Sequence, residues 1–150
     1  ADKKNTLVWE VPYAHGILKA VSYNKGGEVG TATLESAGKV EKIRLSADRT
    51  EIVADGNDLS YITLELVDSK GIRNQLAEEL VAFSIEGDAT IEGVGNANPM
   101  SIESFVANSR KTWRGSNLLV VRSGKSSGRI IVTATVKALP VASITITQKK

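Results

Sequence analysis

Apolar and polar residues alternate along most of this chain. Ile62, Leu64 and Leu66 share one face of a segment, with Tyr61, Thr63 and Glu65 on the other. Val81, Phe83 and Ile85 repeat the pattern, and Ile43 and Leu45 begin it. A period of two puts alternate side chains on one side of a pleated ribbon, so these segments read as half-buried strands. Nearer the start, Leu7, Trp9 and Val11 alternate with polar or smaller residues, and Ile17 to Tyr23 and Glu28 to Ser36 follow as two more strands. Leu118 to Val121 and Ile130 to Val136 are nearly continuous apolar runs, the form expected of central strands covered on both sides. Ile144 and Ile146 belong to a last strand after Leu139-Pro140. No window shows a helical period, and Gln75 to Leu80 has room for one turn at most.

The breaks between strands are written in turn chemistry. Pro12 to Gly16, Asn24-Lys25-Gly26-Gly27, Ala54 to Asp58, Asp68-Ser69-Lys70-Gly71 and Ser123 to Gly128 combine the residues that tolerate or impose tight turns. Short strands with closely spaced turns predict an all-β chain, and specifically an immunoglobulin-like antiparallel β-sandwich preceded by a partial second one. The boundary is expected at Ala37-Gly38-Lys39, giving 1–38 as the last strands of one domain and 39–150 as a complete one. Three strands bury one face against nothing and are marginal alone. Leu7, Trp9, Val11, Leu18 and Ala20 would form that face, and they are expected to be covered by the second domain or by another chain. One long polar loop, Gly87 to Asn117, is expected to interrupt the second domain. Loops beyond about 12–15 residues in a compact domain are usually functional or disordered.

Composition narrows the function classes. Of 150 residues, 41% are hydrophobic and 24% charged, enough for a core and a solvated surface. A formal net charge of +2 is too small to argue for nucleic acid or an acidic membrane, and Lys3-Lys4 and Lys149-Lys150 read as solvated basic ends. No apolar run is long enough to cross a bilayer. The absence of cysteine removes disulfides, thiolate metal sites and a cysteine nucleophile.

Chemistry-bearing motifs are sparse. The single histidine, His15, lies in a turn with no marked nucleophile or carboxylate partner, so it reads as incidental rather than catalytic. Glu86, Asp88, Glu92 and Glu103 are candidate carboxylates, but no spacing singles out a glycosidase pair. Asp55-Gly56-Asn57-Asp58 lacks the ligand order of a calcium loop. Gly124-Lys125-Ser126 is not a phosphate loop, since Leu119 stands where the first glycine is required. No cofactor or metal site is written here. Trp113, with Arg110, Asn96, Asn98 and Glu103 in the same loop, is the remaining candidate. It admits three roles: a cap on the sandwich core, an anchor against a neighbouring domain, or a stacking platform for a sugar. Phe105 and Trp113 are expected to pin the loop to the sandwich, with Asn96, Asn98 and Arg110 bridging surfaces or holding the loop's own backbone.

Several segments share their wording with one family. Trp9-Glu10-Val11-Pro12-Tyr13, then Gly16, Leu18, Ala20, Val21 and Tyr23, resembles a W-x-V-P-Y-x-x-G-x-L-x-A-V-x-Y segment. Ile43 to Arg49, Ala54 to Ser60, Val67 to Gly71, Phe83 to Gly87, Ile91 to Asn96, Glu103-Ser104-Phe105 and Arg110 to Gly115 continue the likeness in order. The whole resembles the C-terminal immunoglobulin-like accessory region of bacterial glycoside hydrolase family 2 enzymes of the β-galactosidase type. The resemblance implies a C-terminal piece of a retaining glycosidase whose catalytic glutamates sit on a (β/α)₈ barrel of roughly 250 residues. An all-β chain of this length cannot hold that barrel, so no catalytic residue transfers to it. The implied work is to buttress the barrel, complete a homo-oligomer contact, or place a loop near the cleft. The implied setting is an exported, periplasmic or cell-surface protein. The family usually carries phenylalanine or tyrosine where Trp113 stands, which favours packing over a private sugar contact. Two other readings stay open: a carbohydrate-binding module centred on Trp113, and an adhesin-type immunoglobulin-like spacer.

Overall fold

The computed structural model describes residues 6–150, so the basic Lys3-Lys4 lies outside the described residues. The chain divides into two compact units, Ala1–Ser36 and Ala37–Lys150. The first holds one hairpin, β1 (Ile17–Asn24) and β2 (Gly27–Glu35), paired antiparallel. Its turn places Lys25 at φ 50° and Gly26 at φ 82°, two successive left-handed residues that match the twist of a two-residue hairpin. Leu18 pairs with Leu34 and Ala20 with Ala32 on one face.

The alternation at Leu7, Trp9 and Val11 does not form the expected strand. Alternation marks what a strand could bury, but a strand exists only where its backbone pairs, and this segment pairs with neither β1 nor β2. Of the residues expected to need cover, Trp9 is 69% exposed and Leu18 51%.

The second unit holds nine strands in two sheets. The first sheet runs in the order β3 (Lys42–Ala47), β5 (Leu59–Val67), β9 (Ser116–Ser123), β7 (Ala89–Gly95). The second runs β4 (Glu51–Val53), β11 (Ala142–Lys149), β10 (Gly128–Val136), β6 (Leu80–Glu86), β8 (Ser109–Lys111). All pairings are antiparallel except β4 with β11. Followed in chain order, β3, β5, β9 and β7 take the places of the A, B, E and D strands of an immunoglobulin sandwich, and β6, β10 and β11 those of C, F and G.

The core lies between the two sheets. Ile62, Leu64 and Leu66 of β5, Leu119 and Val121 of β9 and Val94 of β7 face Val81 and Phe83 of β6, Ile130, Val132 and Ala134 of β10 and Ile146 of β11. The apolar runs of β9 and β10 are central strands, but they are not covered on both sides. Their burial alternates, and Leu118 is 40% exposed on the outer face. A two-sheet sandwich has one inner face per sheet, so an apolar outer position rests on solvent.

The long loop is shorter than the sequence suggests. Gly87 to Asn117 contains β7, β8 and the start of β9, leaving residues 96–108 as the true connection. β7 escapes a period-two reading because its register shifts between Ile91 and Gly93, a bulge at Glu92. Ile91 and Val94 therefore fall three apart rather than at even spacing, yet Val94 is fully buried.

Candidate functional site

The connection 96–108 bridges β7 of one sheet and β8 of the other, and short-range polar bonds give it its shape. Asn96 Oδ1 accepts from the Asn98 amide at 3.1 Å, and Asn98 Oδ1 accepts from the Met100 amide at 3.0 Å. Ser101 Oγ then accepts from the Glu103 amide at 3.3 Å. Each is a side chain imitating a backbone turn, which short polar residues do well. Ala97 sits at φ 58° between the two asparagines. Asn96 is itself buried and donates through Nδ2 to Lys111 O at 2.9 Å, tying the start of the connection to β8.

Arg110, the middle residue of β8, lies under this arch and is fully buried. One guanidinium nitrogen donates to Val94 O at 3.2 Å and to Glu103 O at 3.1 Å. The other donates to Ser101 Oγ at 3.0 Å. The Phe105 ring lies over the guanidinium, 4.2 Å from centroid to Cζ. A planar cation with several fixed donors can join β7, both halves of the arch and an aromatic face at once. Its own carbonyl accepts from Asn117 Nδ2 at 3.0 Å. Two buried atoms here, Arg110 Nε and Asn117 Oδ1, have no hydrogen-bond partner among the described residues. Glu103 accepts from the Lys111 amide at 3.0 Å, and that bond is the leading reason its carboxyl lies below the ordinary glutamate value, with Ser101 and the charge of Arg110 adding to it.

Trp113 stands at the end of this structure, not in the core. It closes a tight turn with Ser116, each amide donating to the other's carbonyl at 3.1 Å, through Arg114 at φ 52° and Gly115 at φ 72°. A Cβ on Gly115 would fall 2.1 Å from Asn74 O, so only glycine fits. The Trp113 ring is half-buried and the Arg114 guanidinium lies 4.7 Å from its centroid. A shallow cavity of about 280 Å³ opens beside it, lined among others by Asn96, Asn98, Met100, Ile102 and Glu103.

The structure therefore gathers Trp113, Asn96, Asn98 and Glu103 around one cavity and puts Arg110 beneath the arch, where a surface partner cannot reach it. The pinning expected of Phe105 and Trp113 is done by Arg110, since Phe105 is 62% exposed and rests on the cation. The expectation that Arg110 holds the loop's own backbone is met at Glu103 O, but its full burial was not foreseen, because arginine in a three-residue strand reads as an outward polar residue. His15 is exposed in its turn. Of the other acidic candidates, Asp88 accepts from the Lys125 and Ser126 amides, Glu92 pairs with Arg122, and Glu86 is exposed at the end of β6. Among the described residues no group of three or more His, Asp or Glu side chains could hold a metal ion.

An immunoglobulin-like sandwich with a pinned arch at one end is the class of domain that fold and site define. The chain belongs to the family of glycoside hydrolase family 2 C-terminal domain 5, whose model matches residues 43–145. It is 35% identical over 144 residues to Beta-galactosidase BoGH2A of Bacteroides ovatus, covering 96% of this chain and 17% of that protein. Among solved structures, it is similar to a glycosyl hydrolase family 2 member from Bacteroides cellulosilyticus, with 99% identity and a TM-score of 0.94 over 99% of this chain and 19% of that one. It is also similar to a β-glucuronidase from glycoside hydrolase family 2, with 28% identity and a TM-score of 0.82 over 93% of this chain and 15% of that one. The chain thus spans less than a fifth of the length of each of these relatives.

Proposed function

We propose that this chain is a non-catalytic accessory region of a larger family 2 glycoside hydrolase of the β-galactosidase type, and that it supports the catalytic portion of that enzyme. The observation that carries the reading is the match to a C-terminal domain of this family in an all-strand chain, which makes up only 17% of a β-galactosidase relative. Hydrolysis of an O-glycosidic bond by the retaining route needs two carboxyl groups about 5–5.5 Å apart across a sugar cleft, and Asp88, Glu92 and Glu103 are engaged in local hydrogen bonds and an ion pair instead.

The hairpin β1–β2 fits this role as the last hairpin of a preceding sandwich. An isolated hairpin is marginal in water, and its Leu18–Leu34 and Ala20–Ala32 pairs offer an apolar face for a facing sheet. The test is a pair of measurements. The purified 150-residue chain is expected to release no chromophore from a β-galactoside, whereas the full-length protein carrying it does. Turnover by the chain alone that survives further purification, or none by the full-length protein on any β-glycoside, overturns the reading.

A further inference from the structure

The crest of the arch is apolar and faces outward. Met100 is 84% exposed, Ile102 101%, Phe105 62% and Val106 80%. Four large apolar side chains lie exposed within seven positions, none of them in the core, and exposed apolar area of this density marks an interaction surface. The arch beneath them is already ordered. Arg110 bonds it from below, and Asn96, Asn98 and Ser101 use their side chains on its own backbone. Binding through a preorganised surface loses little conformational entropy, so apolar area buried there converts more fully into affinity.

The same bonds argue against a sugar-reading surface. A carbohydrate site needs outward polar groups to read hydroxyls. Here Arg110 is fully buried, Asn96 has both polar atoms engaged, and Glu103 bonds Lys111 and Ser101. The largest exposed side chains of the arch, Met100, Ile102, Phe105 and Val106, are apolar. The extent of chain beyond these residues names the occupant. In the family 2 structure that is 99% identical over this chain, these residues are 19% of the polypeptide. The remainder is tethered to the crest, and an intramolecular partner outcompetes free ones by its effective concentration.

We infer that the crest Met100, Ile102, Phe105 and Val106 is the surface by which residues 37–150 dock on the remainder of the parent polypeptide. This rests on the accessory-region reading above and adds to it the surface used. The test compares amide hydrogen exchange of residues 98–107 in the 150-residue chain and in the full-length protein, each as wild type and as the pair Ile102→Asp with Val106→Asp. The full-length wild type is expected to exchange more slowly across the crest than the chain alone, and the paired substitution to abolish that difference. The chain's own melting temperature is expected to be unchanged, because neither side chain has a packing role in it. Equal exchange in both wild-type proteins overturns the inference. So does a crest protected only through self-association of the chain, or one protected only when galactoside oligosaccharide is added. Activity of the full-length protein on β-glycosides is read in the same samples, so failure of the docking inference is separated from failure of the accessory-region reading.

Discussion

The hairpin β1–β2 and the pair β5–β9 are built from the same material and end differently. Both are antiparallel ribbons with alternating apolar positions. In β5, Ile62, Leu64 and Leu66 are fully buried against a second sheet, while Leu18 and Leu34 of the hairpin stay 51% and 72% exposed. Alternation thus specifies a strand's face but not what covers it. The covering sheet of β5 is encoded within residues 37–150, whereas the described residues of the first unit form only the two-stranded sheet β1–β2.

Substitution should expose this contrast most strongly. Leu64→Ala removes a fully buried side chain at the centre of the sandwich and is expected to cost about 2–5 kcal/mol, from lost burial plus the cavity left behind. Leu18→Ala in the same chain is expected to change stability by less than about 0.5 kcal/mol, as for surface substitutions in general. Urea unfolding followed by circular dichroism measures both. A Leu18→Ala loss comparable to that of Leu64→Ala would mean that the hairpin face is covered in solution.

How far the sequence could be read follows the same division. Strands with clean alternation, β5 and β6, and turns with marked chemistry, such as Asp68 to Gly71, were legible because one local rule decides each. Gly71 takes φ 83° and its amide donates to Asp68 O at 3.0 Å, as the turn requires. β7 was illegible because the bulge at Glu92 breaks the period, and its glycines at 93 and 95 look like loop. The failed strand at Leu7 to Val11 shows the opposite error, a good period in a segment that pairs with neither β1 nor β2. Of the site, the cluster around Trp113 was legible as a group of residue types sharing one segment. The buried role of Arg110 was not, because it depends on carbonyls of Val94 and Glu103 that only the folded arch brings together.

A second comparison ranks the two residues that could hold the arch. Arg110→Ala leaves two carbonyls and a hydroxyl without a donor, removes the platform under Phe105 and opens a cavity, for an expected loss of about 2–4 kcal/mol. Trp113→Ala removes a ring that is only half-buried, for an expected loss of about 1 kcal/mol. Arg110→Lys is expected to recover little, since an ammonium cannot reproduce the fork to three acceptors. Denaturation midpoints rank the three variants. A Trp113→Ala loss equal to or above that of Arg110→Ala would return the pinning role to the tryptophan.

The smallest expected effect is a pH dependence, and it is shared by the sandwich's turns and, through Glu103, by the arch. Asp68 accepts from the Gly38 amide at 2.8 Å, the Ile72 amide at 2.9 Å and the Lys70 amide at 3.0 Å. The Gly38 bond leads in holding its carboxyl below the ordinary aspartate value of 3.8. Asp88 is lowered in the same way, first by the Ser126 amide and then by the Ser126 hydroxyl and the Lys125 amide. A carboxyl whose pKa is lower folded than unfolded favours the fold in its ionised form. Its contribution is complete above the unfolded value and is lost as pH falls through the folded one. Stability is therefore expected to be flat near neutrality and to decline from about pH 4 downward. Asp88→Asn keeps one acceptor but no titration, so it should be less stable at neutral pH and lose less on acidification. Urea midpoints at neutral pH and near pH 3 measure the difference, and parallel declines in wild type and Asp88→Asn would show that this turn does not carry the acid sensitivity.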